Sequence, residues 1–248
     1  MTDHAASDAP PRALVFDVFG TVVDWHGSIA REAQTLFHER GIAVDPVAFT
    51  EAWRAGYQPA MHRVRTGDLP WMKIDDLHRL ILDDLVARFA ITGLSEADLA
   101  QFNRVWHRLD PWPDAVEGLG LLKRRFTIAT LSNGNFALLT NMAKRAGLPW
   151  DCVISAELFH HYKPDPETYR GAADLLGIAH GELMLVACHP DDLRAAQRAG
   201  LRAAYVKRPA EHGIGSAPPA YADGEFDDVA DDFVDLARRF EARWFAVR

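Results

Sequence analysis

Cysteine is scarce in this 248-residue chain: Cys152 and Cys188 are the only two. Two separate thiols, each inside an apolar segment, make no disulfide framework and no zinc pattern. They read as buried, reduced side chains suited to the cytoplasm. Runs of Lys and Arg are also missing. With 27 Lys plus Arg against 35 Asp plus Glu, the net charge is −8. That balance excludes the basic face with which a nucleic-acid binder neutralises phosphates. It also does nothing to attract an anion at long range, so a bound anion must be held by a few local cations or N–H donors. No apolar run approaches the ~20 residues of a membrane helix. The opening MTDHAASDAP lacks the charged and apolar regions of a signal peptide. The expectation is therefore a soluble protein without membrane or nucleic-acid partners. There is no internal repeat. The 11 histidines include His107, His160, His161 and His180, which lack ligand spacing and read as surface or loop residues.

What the chain does have is a sizeable apolar fraction, 48%, enough for a large core. Its length is long for one domain and short for two, which suits one core carrying an insert. Residues 1–11 read as a disordered tail ending in Pro10-Pro11. ALVFDVF (13–19) is a short apolar run ended by Gly20-Thr21 and predicts a buried strand. Residues 27–108 then show helical spacing, as in Leu77, Leu80, Ile81 and Leu85, with Asp45 and Ser95 marking helix starts. Four or five helices are expected there.

From Pro111 onward, strand-like runs alternate with helical stretches. The strands expected are 126–132, 152–158, 183–189, 202–208 and a short one near 226–229. The helices expected are 135–146, 166–176, 191–199 and 230–243, with a Gly/Pro-rich loop at 211–219. Alternation of this kind gives an α/β fold with a parallel, Rossmann-like sheet. The domain reading is a core of 12–26 and 109–248, with a helical cap of 27–108 inserted after the first strand.

Ligands of such sheets lie beyond the carboxyl ends of the strands. There the sequence places Asp17 with Val18-Phe19-Gly20-Thr21, then Ser132-Asn133-Gly134, then Lys163-Pro164-Asp165, then His189 with Asp191-Asp192. Carboxylates, a hydroxyl and an ammonium thus converge from four connections. FDVFGT, LSNG, YKPDPETY and the acidic pair after the fourth run resemble the haloacid dehalogenase superfamily over residues 13 to about 206. In detail the chain is similar to the type II, L-2-haloacid dehalogenases. Superfamily phosphatases carry a second Asp two residues after the nucleophile, as general acid for a poor alkoxide leaving group. Phe19 holds that position here and has no proton to give. Halide leaves unprotonated, and an aromatic wall suits a carbon substrate.

The resemblance implies hydrolytic dehalogenation of a short haloacetate or L-2-haloacid through an ester on Asp17, without cofactor or metal. Lys163 would keep Asp17 ionised, Asp192 would pair with Lys163, and Thr21 would orient the nucleophile. Val18, Phe19, Ser132, Asn133, Tyr169 and His189 would contact the substrate. Arg54, in a cap segment similar to the family's Trp-Arg motif, would hold the departing halide together with His189. Guanidinium, weakly hydrated and always charged, suits that diffuse anion; Arg63 and Arg65 are rivals. A homodimer is left open. Residues 187–192 depart from the family: Ala187, His189 and Asp191 replace serine, asparagine and an aromatic residue. Two other readings therefore stand. One is an Mg²⁺-dependent phosphatase using Asp17, Asp191 and Asp192. The other is a non-catalytic protein that binds small acids.

Overall fold

The computed structural model describes residues 9–213, 215–217 and 219–246, so the first eight residues of the expected tail lie outside the described residues. The first strand, β1 (Ala13–Phe16), is buried along its whole length. Leu14, Val15 and Phe16 are fully enclosed, each contributing about 2 kcal/mol of burial. Phe16 meets Trp150 on one side and Phe233 edge-on, with ring centroids 5.3 and 5.4 Å away. Beyond Asp17 the chain turns, and Gly20 adopts φ +86°. A Cβ at Gly20 would sit 2.1 Å from the Glu211 carboxylate. Only glycine lets that distant loop approach the end of β1 so closely.

The helical stretch leaves and rejoins the sheet through a two-stranded antiparallel ribbon of β2 (Val23–Asp24) and β3 (Asp110–Pro111). Four α-helices lie between these strands: α1 (Trp25–Arg40), α2 (Pro46–Arg65), α3 (Ile74–Arg88) and α4 (Glu96–Asn103). Their starts follow capping chemistry. The Asp24 carboxylate accepts from Gly27 N, Asp45 from Val47 N, and Ser95 forms a capping box with Asp98. Phe37, Phe49, Trp53, Phe102 and Trp106 pack together at their core.

The rest alternates: α5 (Ala115–Lys123), β4 (Thr127–Thr130), α6 (Phe136–Ala146), α7 (Pro166–Leu176), β5 (Leu183–Ala187), α8 (Pro190–Arg198), β6 (Arg202–Val206), β7 (Asp228–Ala230) and α9 (Phe233–Phe240). The sheet is five-stranded in the order β4-β1-β5-β6-β7, and every pairing is parallel. This is the expected α/β class. Among the described residues no helix is long and apolar enough to cross a membrane.

One expected strand does not form. Residues 152–158 touch β4 and its extension only at isolated bridges, Ala129 to Cys152 and Ser132 to Ser155. Side chains replace the ladder there. Thr130 Oγ1 accepts from Ile154 N at 3.0 Å and donates to Ile154 O at 2.9 Å, and the Asp151 carboxylate accepts from Ile128 N at 2.9 Å. The final helix is also shorter than expected, since its last turn loosens into a π-helical segment over Glu241–Phe245.

Candidate active site

The carboxyl ends of β1, β4 and β5, the turn before α7, and α2 surround a cavity of about 570 Å³. β1 delivers Asp17, which is 7% exposed. Its Oδ1 accepts from Lys163 Nζ at 2.8 Å. Its Oδ2 accepts from Thr21 Oγ1 at 2.8 Å and faces His189 Nδ1 at 3.1 Å. Burial alone would raise this carboxyl group. The Lys163 ammonium, the His189 hydrogen bond and the positive charges around it reverse that, so Asp17 lies well below the usual carboxylate range.

Lys163 is held by its backbone. Asn133 Oδ1 accepts from Lys163 N at 2.7 Å, and Arg65 Nη2 donates to Lys163 O at 2.5 Å. The Lys163–Pro164 peptide is cis. The ammonium bridges Asp17 and Asp192 Oδ2, the latter at 2.5 Å. Burial would favour the neutral amine, but these two carboxylates outweigh it and keep the ammonium firmly protonated. Asp192 accepts in turn from Tyr169 Oη at 2.6 Å. The tyrosine hydroxyl, driven upward first by burial and then by the Asp192 charge, is thus a donor to Asp192. Asn133 and Tyr169 line the cavity, but their polar atoms position Lys163 and Asp192.

His189 follows β5 and reaches two carboxylates at once. Nδ1 faces Asp17, and Nε2 faces Glu211 Oε1 at 2.8 Å. Burial would lower this imidazole, but the Cys188 sulfur, the Glu211 carboxylate and the Asp17 hydrogen bond raise it well above the ordinary histidine range. Glu211, 5% exposed, is desolvated, yet His189 brings it down to about 2. Trp25 Nε1 donates to the same Glu211 oxygen at 3.2 Å. Glu211 has no counterpart in the sequence expectations. It lies in the Gly/Pro-rich loop, where periodicity carries no signal; Gly20 is the only hint, and only in hindsight.

Arg54, on α2, is the cap arginine that lines the cavity. Its guanidinium carbon lies 4.7 Å from the Tyr57 ring centroid and 5.4 Å from that of Trp25. Nη1 is buried with no hydrogen-bond partner among the described residues. Of the rivals, Arg65 is spent on Asp165 and the Lys163 carbonyl, and Arg63 faces outward. Tyr57, one helical turn from Arg54, also lines the cavity and went unnoticed in the sequence. Phe19 forms an apolar wall, edge-on to Trp106 at 5.6 Å. Ser132 lines the cavity as well. The N–H groups of Val18 and Phe19 have no acceptor among the described residues, whereas Gly20 N is spent on Val23 O.

Two expectations need correction. Asp191 does not join Asp17 and Asp192: its side chain is 95% exposed and pairs with Arg194 at 2.9 Å. Both Asp192 oxygens are engaged by Lys163 and Tyr169. This donor set does not fit an oxygen cage for Mg²⁺. His107 is not a surface residue but is buried, with Nε2 3.0 Å from Asp75 Oδ1. Its two partners come from α3 and α6, so no local pattern marks it.

A family model described as a haloacid dehalogenase-like hydrolase matches residues 11–200. A crystal structure of an L-2-haloacid dehalogenase is 46% identical, with a TM-score of 0.89, over 94% of this chain and 99% of that one. A second, titled a defluorinating L-2-haloacid dehalogenase, is 42% identical with a TM-score of 0.89, covering 92% and 94%. (S)-2-haloacid dehalogenase 1 of Pseudomonas sp. (strain CBS-3) is 31% identical over 80% of this chain and 86% of its own length.

Proposed function

We propose a reaction course for this chain from the premise that it belongs to the haloacid dehalogenase-like hydrolase family. The reaction is hydrolytic dehalogenation of a short 2-haloalkanoic acid, and the enzyme is a carbon–halide hydrolase that needs no cofactor. The observation that supports a role for each residue is the ring of contacts around Asp17.

Oδ1 of Asp17 has one partner, Lys163, while Oδ2 holds both Thr21 and His189. Oδ1 therefore retains the freer lone pairs and attacks C2 in line, displacing halide. The halide leaves toward Arg54, whose Nη1 has no hydrogen-bond partner among the described residues. The free N–H groups of Val18 and Phe19 and the Ser132 hydroxyl hold the substrate carboxylate. Phe19 and Tyr57 enclose the alkyl part. In-line attack inverts C2, and the relatives named for (S)-2-haloacids support the L enantiomer as substrate.

Oδ2 then becomes the ester carbonyl oxygen. Thr21 and the His189 imidazolium already point at it, so they form a preorganised pair of donors for the oxyanion that builds up when water attacks. Glu211 orients the imidazolium and balances its charge. Asp192, fixed by Lys163 and Tyr169, positions the attacking water. Water adds to the Asp17 carbonyl carbon, and the Cγ–Oδ1 bond breaks so that Oδ1 leaves on C2 of the product. One proton of the water ends on that oxygen to give the 2-hydroxy acid, and the other passes to solvent as Asp17 returns to the carboxylate. A 42%-identical relative described as defluorinating extends the proposed range to fluoride.

One turnover of chloroacetate in ¹⁸O-water with excess enzyme tests this course. Label in the peptide carrying Asp17 is the expected result. Label found only in glycolate means that water attacks carbon directly, which defeats the ester route. The phosphatase reading is disfavoured, because Phe19 stands where the general acid would and the outward Asp191 takes away a metal ligand.

A further inference from the structure

Behind Asp17, on the side away from Lys163, Cys188 Sγ, His189 Nε2 and Glu211 converge with ligand atoms within 4.8 Å of one another. We propose that these three side chains form a binding site for a thiophilic divalent cation of the Zn²⁺ type, which shares His189 and Glu211 with the reaction centre at Asp17. Zn²⁺ binds Cys sulfur at about 2.3 Å, His nitrogen at about 2.0–2.1 Å and carboxylate oxygen at about 2.0–2.2 Å, in a tetrahedron. Two ligands on such a tetrahedron are therefore about 3.3–3.6 Å apart. Cys188 Sγ lies 3.5 Å from His189 Nε2 and 3.5 Å from Glu211 Oε2. The edge from Sγ to Nε2 already has the required length. Glu211 turns Oε2 toward the sulfur and Oε1 toward Nε2, the latter in a 2.8 Å hydrogen bond whose proton a cation would replace. Rotation of the carboxylate brings one oxygen to both partners, and one ligand atom from each of the three residues already lies within 4.8 Å of the others.

The donor types match as well. A thiol, an imidazole and a carboxylate form the mixed set that suits Zn²⁺ and not Mg²⁺ or Ca²⁺, which demand oxygen. The ligands come from adjacent positions after β5 and from a loop more than twenty residues away. That loop is allowed to close in by Gly20, whose missing Cβ leaves room for Glu211. Beside Glu211, toward solvent, His212 is 59% exposed with Nε2 3.7 Å from Glu211 Oε2. Binding releases the thiol proton and the Nε2 proton, so two protons leave for each cation bound. The ring keeps Nδ1 toward Asp17. Because His189 belongs to both sites, occupancy would couple cation supply to the reaction centre.

The test uses untagged, chelator-treated protein and reads binding, not turnover. Calorimetric titration with Zn²⁺ is expected to give one site per chain. Loading with Co²⁺ is expected to give the near-ultraviolet thiolate-to-cobalt charge-transfer band with tetrahedral visible bands. Cys188→Ala should remove the charge-transfer band and weaken Zn²⁺ binding by more than about tenfold, since loss of even an outer partner costs about 10–100-fold. Cys152→Ala should leave both intact, which guards against a general effect of losing a thiol. Absence of stoichiometric binding overturns the proposal, as does binding that survives Cys188→Ala unchanged. Because no arm involves a haloacid, these outcomes are independent of whether the ester route on Asp17 holds.

Discussion

Replacing His189 by alanine should separate the two halves of the reaction. In the free enzyme Asp17 Oδ2 is approached by two donors, Thr21 at 2.8 Å and His189 at 3.1 Å. Once Oδ1 has been alkylated, those donors stabilise the oxyanion formed by water attack, and neither is needed to expel halide. Loss of one donor from such a pair costs about 10²–10³ in rate, or about 3–4 kcal/mol in the hydrolytic barrier. The alkylation step keeps its nucleophile, because Lys163 still holds Asp17 ionised. Rapid mixing of the variant with chloroacetate should therefore give a burst of one chloride per active site, followed by turnover slowed about 10²–10³-fold. Intact-protein mass should show the ester accumulating on the Asp17 peptide. A variant that loses turnover with no burst and no ester would place His189 in the alkylation step and refute the reasoning. So would a fall of less than about threefold.

Further expectations follow from neighbouring contacts. Glu211→Gln removes a buried charge-assisted hydrogen bond at 2.8 Å, worth about 1.5–3 kcal/mol, so hydrolysis should slow about tenfold to a hundredfold; steady-state halide release measures it. Arg54→Met removes the cavity's cap cation beside Tyr57, and kcat/KM should fall by about tenfold to a hundredfold on the same scale, with a larger loss for fluoroacetate than for chloroacetate. Phe19→Asp places a carboxyl group against Trp106; stability should drop by about 2–4 kcal/mol in urea titration, with no phosphatase activity toward p-nitrophenyl phosphate gained. Asp114 is desolvated, but the Arg208 fork at 2.8 and 2.9 Å and Phe233 N hold its carboxyl below the usual range. A depressed carboxyl contributes stability above its unfolded pKa of about 4 and loses it as pH falls below that. Asp114→Asn should therefore flatten the acid limb of urea midpoint against pH and lower stability near neutrality, and an unchanged acid limb would count against it.

How far the sequence reaches depends on the range of the interaction. β1, β5 and β6 are local apolar runs, and their burial is written in four or five consecutive residues. Helix starts at Asp45 and Ser95 are equally local, because a cap bonds to an amide two or three residues away. Residues 152–158 misled because their composition suits a strand, while the hydroxyl of Thr130 on the neighbouring strand takes the hydrogen bonds a ladder would use. In the site, Asp17, Lys163 and Asp192 were legible from short motifs, after β1, before α7 and in the first turn of α8. Glu211 was not, since its partners Trp25, Gly20 and His189 are far away in sequence and its own loop has no period. Tyr57 shares a helix face with Arg54, a signal present but not separable from ordinary core packing. His107 shows the limit for lone histidines: its partners Asp75 and Asn141 lie 32 and 34 residues away.

The charges of the site explain why these substitutions occur together. Asp17, Asp192 and Glu211 bring three negative charges, and Lys163, the raised His189 and Arg54 bring three positive ones. The empty site is neutral, which is how a buried cluster avoids a large desolvation cost. A haloacid adds one negative charge, held by N–H and hydroxyl donors. Displacement moves the charge of Asp17 onto halide without changing the sum, and halide departure returns the ester state to neutrality. A phosphate monoester dianion would leave two negative charges uncompensated on binding and one in the phosphoenzyme. Countering them takes a divalent cation between Asp17 and a carboxylate at position 191, yet Asp191 points outward to Arg194. Phe19 removes the acid that alkoxide needs, and Lys163, His189 and Arg54 together balance the three carboxylates without a metal. Restoring aspartate at position 19 alone thus adds a fourth negative charge to a balanced site, which is why that variant should lose dehalogenation without acquiring phosphoryl chemistry.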